Sequence, residues 1–275
     1  MGNMFENVLL SASEREPKPK SEYIGEDGLL HCSACHKATQ TVIELLGKKR
    51  TVRCICQCEV DRMQAEEDRR KREAHERVRR RCFDTAEMAG WNFSHDDRQN
   101  PKISDAMKQY VDQYPDFMRQ GKGLLLYGTV GTGKTYYAAC VANALIDRGY
   151  TVRMTNFATL GNQLQGLFEG KQDFIDRLNR HDLLVIDDLG AERSTEYMLE
   201  TVFNIIDSRY RTGLPLIVTT NLTPEELKSP KNVSYGRIYD RVMEMCFPIE
   251  VRGNSRRRAA LKDTFADTKE RLGLG

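Results

Sequence analysis

Eight consecutive residues, Gly128-Thr129-Val130-Gly131-Thr132-Gly133-Lys134-Thr135, match G-x-x-x-x-G-K-[ST] in full. Glycines at these positions let the backbone curl until its N–H groups face a phosphate chain, and the N-terminus of a following helix adds positive potential. Lys134 would neutralise the β and γ oxygens, and Thr135 would ligate Mg²⁺. The expected cradle is therefore Gly128, Val130, Gly131, Thr132, Gly133, Lys134 and Thr135. A nucleotide site also needs an acid at the end of a neighbouring apolar strand. Leu183-Leu184-Val185-Ile186-Asp187-Asp188 supplies two. Asp187 is expected on the magnesium side and Asp188 beside the attacking water, with Glu192 as its competitor for that role.

A second chemistry lies upstream. Cys32-x-x-Cys35 is followed by Cys54, Cys56 and Cys58, five thiols placed for a four-coordinate site. Two knuckles about 20 residues apart are a structural zinc pattern. His31 and His36 are more distant alternatives as ligands. A site closed by four thiolates has no open position, so such a metal would hold structure and perform no chemistry. Cys82, Cys140 and Cys246 stand apart and read as apolar filling.

The elements that must position these groups can be read from periodicity. GLLLYG predicts a strand ending at the glycine-rich loop, and Lys134 to Asp147 predicts a helix starting from it. YTVRMTN, DLLVIDD and LPLIVTTN predict further strands. Helices are expected between them, through Leu160 to Phe168 and through Thr195 to Tyr210. Short buried runs alternating with helices imply an α/β fold with a parallel sheet covered on both faces. Upstream, TVIELLGKKRTVRC predicts a hairpin turning near Gly47, too small to fold on apolar burial alone. Four regions are expected: a loosely structured leader over 1–28, a small zinc-binding domain over 29–59, a charged linker helix over 60–82, and an ATPase domain over 83–275.

The 275 residues carry 42 Lys+Arg against 40 Asp+Glu, with 40% hydrophobic residues, so neither wholesale disorder nor electrostatic wrapping of DNA is expected. No apolar run approaches the roughly 20 residues that span a bilayer. The N-terminus lacks a basic start and a long apolar centre, which places the protein in the cytoplasm by expectation.

Three more groups follow in order: Val218-Thr219-Thr220-Asn221, Gly236-Arg237-Ile238-Tyr239-Asp240-Arg241 and Gly253-Asn254-Ser255-Arg256-Arg257. With "YGTVGTGKT" and "LLVIDDLGAE" they resemble the P-loop AAA+ ATPases, and their wording is similar to the DnaC/DnaI-type replicative helicase loaders, IstB-like ATP-binding proteins, across about residues 83–265. The resemblance implies a weak ATPase stimulated by DNA or assembly. It makes Asn221 the residue that helps hold the water, Arg241 an arginine finger reaching a neighbour's nucleotide, and Arg257 a contact near the γ-phosphate. Arg237 is a second interface candidate, and Arg256 and Arg258 flank Arg257. It also selects Cys32, Cys35, Cys56 and Cys58 as the zinc ligands, with Cys54 in reserve. The implied function is ATP-switched loading of a hexameric replicative helicase onto single-stranded DNA, with self-association through the ATPase core. Lys171, Arg177, Arg180 and Phe168 are candidates for strand contact. The alternative is a transposition helper that acts on duplex DNA with a transposase.

Overall fold

The computed structural model describes residues 21–45, 47–190, 195–229, 233–256, 265, 268, 269, 271 and 272. The chain divides into two compact units, Met1–Glu76 and Arg77–Gly275.

The first unit is built from two small antiparallel pairs. Strand β1 (Glu22–Ile24) pairs with β2 (Leu30–Cys32), and β3 (Gln40–Leu45) pairs with β4 (Lys48–Arg53) in the expected hairpin. Gly47 turns it with φ +73°, a left-handed value that a side chain would strain. Strand β1 falls inside the expected leader, because Glu22 lies opposite Cys32. Helix α1 (Gln57–Arg81) starts three residues before the expected linker, which places Cys58 in its first turn. The helix has no buried residue and is laced by i,i+4 ion pairs such as Arg70–Glu66 and Lys71–Glu67.

The second unit carries a parallel sheet in the order β6-β7-β8-β5-β9, made of β5 (Gly123–Tyr127), β6 (Val152–Asn156), β7 (Leu183–Leu189), β8 (Leu216–Thr220) and β9 (Cys246–Glu250). Alternate residues feed two separate cores. Leu124, Leu126, Leu183, Val185 and Ile217 enter one, shared with α2 (Ala86–Gly90), α3 (Pro101–Asp112), α4 (Tyr114–Gln120) and α5 (Lys134–Asp147). Leu125, Leu184, Ile186, Leu216 and Val218 enter the other, shared with α6 (Phe157–Gln165), α7 (Lys171–Leu178), α8 (Glu196–Thr212), α9 (Pro224–Lys228) and α10 (Val233–Met245). The period of two along each strand thus assigns one core to each sheet face.

Helices α2, α3 and α4 ahead of β5 were not anticipated, and two further elements depart from the expectations. The helix expected through Phe168 ends at Gln165, and a second one starts after Gly170, whose φ of +76° breaks the run. Phe168 is left fully exposed between them. The fifth strand, β9, was not anticipated. Its Pro248 cannot donate to a ladder, and β9 lies at the sheet edge where that is tolerated.

Candidate nucleotide site and metal centre

The glycine-rich loop leaves the C-terminal end of β5 and enters α5 at Lys134. At Gly128 (φ +141°) a Cβ would come within 2.6 Å of the Val251 carbonyl, and Gly133 caps α5 at φ +101° with no side chain spent on the helix N–H groups. Those N–H groups are left for an anion. Thr132 is buried and gives its hydroxyl to the Thr129 carbonyl at 3.0 Å, so it holds the loop's shape. Val130 is exposed at the rim.

Lys134 is nearly buried, and its ammonium donates to Gly128 O (2.9 Å), Thr129 O (2.9 Å) and Asn221 Oδ1 (2.8 Å). Three donors meet three neutral acceptors, and an anionic phosphate would outcompete each of them. Asn221 reaches this point because Tyr127 and Thr220 are in register on β5 and β8, which brings the residues after both strands together.

Between β7 and β8 the register jumps from Ile186↔Val218 to Leu189↔Thr220, so Asp187 and Asp188 face Thr219 alone. This is a bulge, and Asp188 carries it at φ +56°. The bulge aims the two acids apart. Asp187 turns inward, where it accepts from Thr135 Oγ1 at 2.9 Å and Thr219 Oγ1 at 2.6 Å. Burial is the main influence on its carboxyl, raising its pKa above the usual value against the pull of the Thr219 hydroxyl. A buried carboxylate beside a threonine hydroxyl is a hard-oxygen donor set that suits Mg²⁺. Asp188 points into the open cavity, its backbone N–H tied to Thr219 Oγ1 at 2.9 Å. Glu192 lies outside the described residues, as do Arg257 and Arg258.

The cavity measures about 340 Å³ and is lined by Val130, Gly131, Gly133, Lys134, Thr135, Asp188 and Asn221. Glu87, Trp91, Tyr136 and Arg256 complete it, and spacing gave no sign of the first three. Trp91 stands there because the buried Asn143 amide on α5 donates to the carbonyls of Met88 (2.8 Å) and Trp91 (2.9 Å). Arg256 donates its backbone N–H to Gly131 O at 3.0 Å, and its side chain pairs with Asp97 at 2.8 Å. Arg241 and Arg237 do not line this cavity; Arg241 pairs with Asp207 on α8.

Replacing Lys134 by Ala is expected to lower Mg²⁺-ATP turnover about 10²–10³-fold, the usual cost of one preorganised charge-stabilising donor. A phosphate-release assay checks it, and an unchanged rate would remove the loop from the site.

In the first unit the thiols of Cys32, Cys35, Cys56 and Cys58 lie within 4.8 Å of one another. Cys54, on the same segment, is exposed and turned to the Ala38 carbonyl at 3.4 Å. His31 is bound to Asp27 and His36 to Tyr23. Within the cluster the Cys58 backbone is the main influence drawing the Cys35 thiol down to about 6, and the Cys56 thiol leads in pushing Cys58 up to about 12. Sulfurs this close cannot all ionise without a cation among them, and four thiolates suit Zn²⁺. The lone cysteines differ: Cys140 and Cys246 are fully buried, and desolvation pushes Cys140 up to about 12. Among the described residues no helix is long and apolar enough to cross a membrane.

A family model described as IstB-like ATP binding protein matches residues 35–263. The replicative helicase loader DnaI of Bacillus subtilis is 27% identical over 62% of this chain and 60% of its own length. The loader DnaC of Buchnera aphidicola subsp. Schizaphis graminum is 24% identical over 59% of this chain and 65% of its own. The match thus spans less than two thirds of either relative. An insertion-sequence ATP-binding protein of Mycobacterium tuberculosis is 29% identical over 66% of this chain and 72% of its own length. Among solved structures, the crystal structure of DnaI superposes with a TM-score of 0.53 at 26% identity, covering 63% of this chain and 95% of that one. The DnaC helicase loader gives 0.52 at 22%, covering 61% and 100%, a likeness of fold.

Proposed function

The chain belongs to the IstB-like ATP-binding protein family, and on that premise we propose that it is an ATPase that loads a ring-shaped replicative helicase onto single-stranded DNA. The observation that carries the enzymatic part is the convergence of Lys134, Asn221, Thr135 and Asp188 on one cavity at the C-terminal ends of β5, β7 and β8, with Asp187 behind it bonded to Thr135. In this reading the loop amides and Lys134 hold the β and γ phosphates, and Thr135 with Asp187 holds Mg²⁺, which neutralises charge on the phosphate oxygens. Asp188 and Asn221 orient the attacking water. Arg256 closes the cavity from the segment after β9, and Arg257 belongs to the same segment. Arg241, which does not line its own chain's cavity, is read as the residue that acts on a neighbouring copy. Hydrolysis would then depend on assembly, because a finger supplied in trans is worth roughly 10³–10⁵ in rate.

The four-cysteine unit is read as a zinc-held module that grips the helicase. Strand contact is assigned to the loop between α6 and α7, where Phe168 is exposed with Lys171, Arg177 and Arg180 following it. An exposed aromatic ring can stack on an unpaired base, and cations on the following helix suit its backbone. Phe168→Ala is expected to weaken single-stranded DNA binding about tenfold, within the roughly 1–3 kcal/mol of one base–aromatic stack. Fluorescence anisotropy at fixed salt reads this, and unchanged affinity would move the contact elsewhere.

Native mass spectrometry of the zinc-loaded chain with its replicative helicase, with and without ATP, tests the whole reading. A stoichiometric complex that is lost on removal of residues 1–76 supports it. ATP-dependent filaments on duplex DNA with no helicase complex would overturn it in favour of the transposition helper, the reading supported by the likeness to an insertion-sequence protein.

A further inference from the structure

Helices α8 and α10 meet around one carboxylate. Phe203, Asp207, Tyr210 and Arg211 recur at i, i+4, i+7 and i+8 and so share a face of α8. Asp207 Oδ1 pairs with Arg241 Nη2 on α10 at 2.5 Å, while Asp207 Oδ2 pairs with Arg211 Nη1 at 2.6 Å. The Arg241 guanidinium lies 4.8 Å from the Phe203 ring centre and 5.7 Å from that of Tyr210. Tyr210 donates its hydroxyl to Glu244 Oε1 at 2.9 Å, which fixes that ring from α10, and Arg241 Nη1 donates to the Arg237 carbonyl at 3.4 Å.

We propose that Asp207 is the positioning residue that presents Arg241 to the nucleotide of a neighbouring copy, with Phe203 and Tyr210 as the walls of its seat. This rests on the reading that Arg241 acts in trans. An unrestrained arginine loses rotamer freedom when it meets a phosphate, and a seat on its own chain meets that cost before the partner arrives. The seat holds the cation without cancelling it, because two guanidiniums share one carboxylate. Asp207 keeps only 12% of its side-chain surface, whereas Arg241 keeps 28%, so the carboxylate is the more enclosed of the two partners. None of Phe203, Asp207 and Tyr210 lines the chain's own cavity, which separates presentation of the finger from nucleotide binding.

The test measures Mg²⁺-ATP turnover of the full chain at fixed total protein. Asp207→Asn is expected to lower kcat about tenfold or more with an unchanged KM, and Asp207→Glu to retain most of it. Mixing Asp207→Asn protein with Lys134→Ala protein is expected to raise turnover several-fold, because the second chain lacks a working cavity but presents an intact Arg241. A fold merely weakened by Asp207→Asn would gain nothing from the mixture. Arg241→Ala mixed with Lys134→Ala is the control. If that control is rescued while Asp207→Asn alone is fully active, or is inactive and not rescued, the seat is overturned and the trans reading stands. If Arg241→Ala is fully active or is not rescued, both fall.

Discussion

Chelating the metal from the four-thiol cluster, or replacing Cys56 by Ser, is expected to unfold residues 21–56 and leave the parallel sheet intact. Among the described residues that precede α1, Cys32, Thr39 and Cys56 are the buried ones, so the ligands themselves form the centre of this unit. The hairpin supplies no substitute: Val42, Ile43 and Leu45 are exposed, and Val52 is half-buried. Structural zinc contributes about 10–16 kcal/mol at pH 7 in small domains of this kind, far above what two short strand pairs can bury. Protons compete with the metal for thiolates, so chelation should become easier as the pH falls. Amide hydrogen exchange is the measurement. Hairpin amides between Thr41 and Val52 should lose protection on chelation while those of β5, β7 and β8 keep theirs, and a hairpin that stays protected would refute the stapling role. Cys54→Ser should leave one zinc per chain, because that thiol faces a carbonyl outside the cluster.

Arg209→Met is expected to cost the sheet unit on the order of 3 kcal/mol, because a buried carbonyl oxygen left short of a donor costs about 1–3 kcal/mol. Arg209 has no exposed surface, and it faces carbonyl oxygens where a carboxylate would be usual. Nε and Nη2 donate to Pro215 O at 3.2 and 2.6 Å, Nη1 to Asn179 O at 3.1 Å and His181 O at 2.8 Å, and Nη2 to Asp182 O at 3.0 Å. The guanidinium thereby ties the segment entering β7, which carries Asp187, to the one entering β8, which Asn221 follows. Burial chiefly lowers its pKa to about 10. The folded value lies below the unfolded one, so the charged form costs stability at all pH below about 10, a cost relieved only above that. Between pH 6 and 8 it stays charged, and the destabilisation in Arg209→Met should not vary with pH. Arg209→Lys cannot reproduce the fork and should recover only part of the loss. Denaturant titration of the sheet unit reads this, and a loss under about 1 kcal/mol would show that the carbonyls find other donors.

Much of the nucleotide site was legible because its requirements are local. Gly128, Gly133 and Lys134 must be neighbours in the chain to curl around a phosphate, so a spacing rule finds them. Asp187 follows from an apolar run that ends in an acid. The helix over Lys134–Asp147 was expected to the residue, because its composition is free of breakers and a glycine precedes it. The cavity's other wall was not legible. Glu87, Trp91 and Tyr136 have no motif, and Trp91 is there only because the Asn143 amide on α5 finds the carbonyls beside it. The backbone path of the second cysteine knuckle was not legible either. Strand β4 ends at Arg53 and Cys58 lies in the first turn of a helix, which gathers Cys56 and Cys58 with Cys32 and Cys35 and leaves Cys54 outside.

What the residues determined by themselves is the chemistry available: a phosphate cradle, an acidic strand end, a set of soft metal ligands and a parallel sheet implied by alternating apolar runs. These depend on composition and short-range spacing, which the chain carries whatever its fold. The tertiary structure alone decided how the groups are aimed. A bulge turns Asp187 inward and Asp188 outward, a register match sets Asn221 on Lys134, and two helices meet so that Asp207 holds Arg241. Each of these joins residues far apart in the chain through strand pairing or helix packing, and no local pattern encodes which of several acids or arginines will meet.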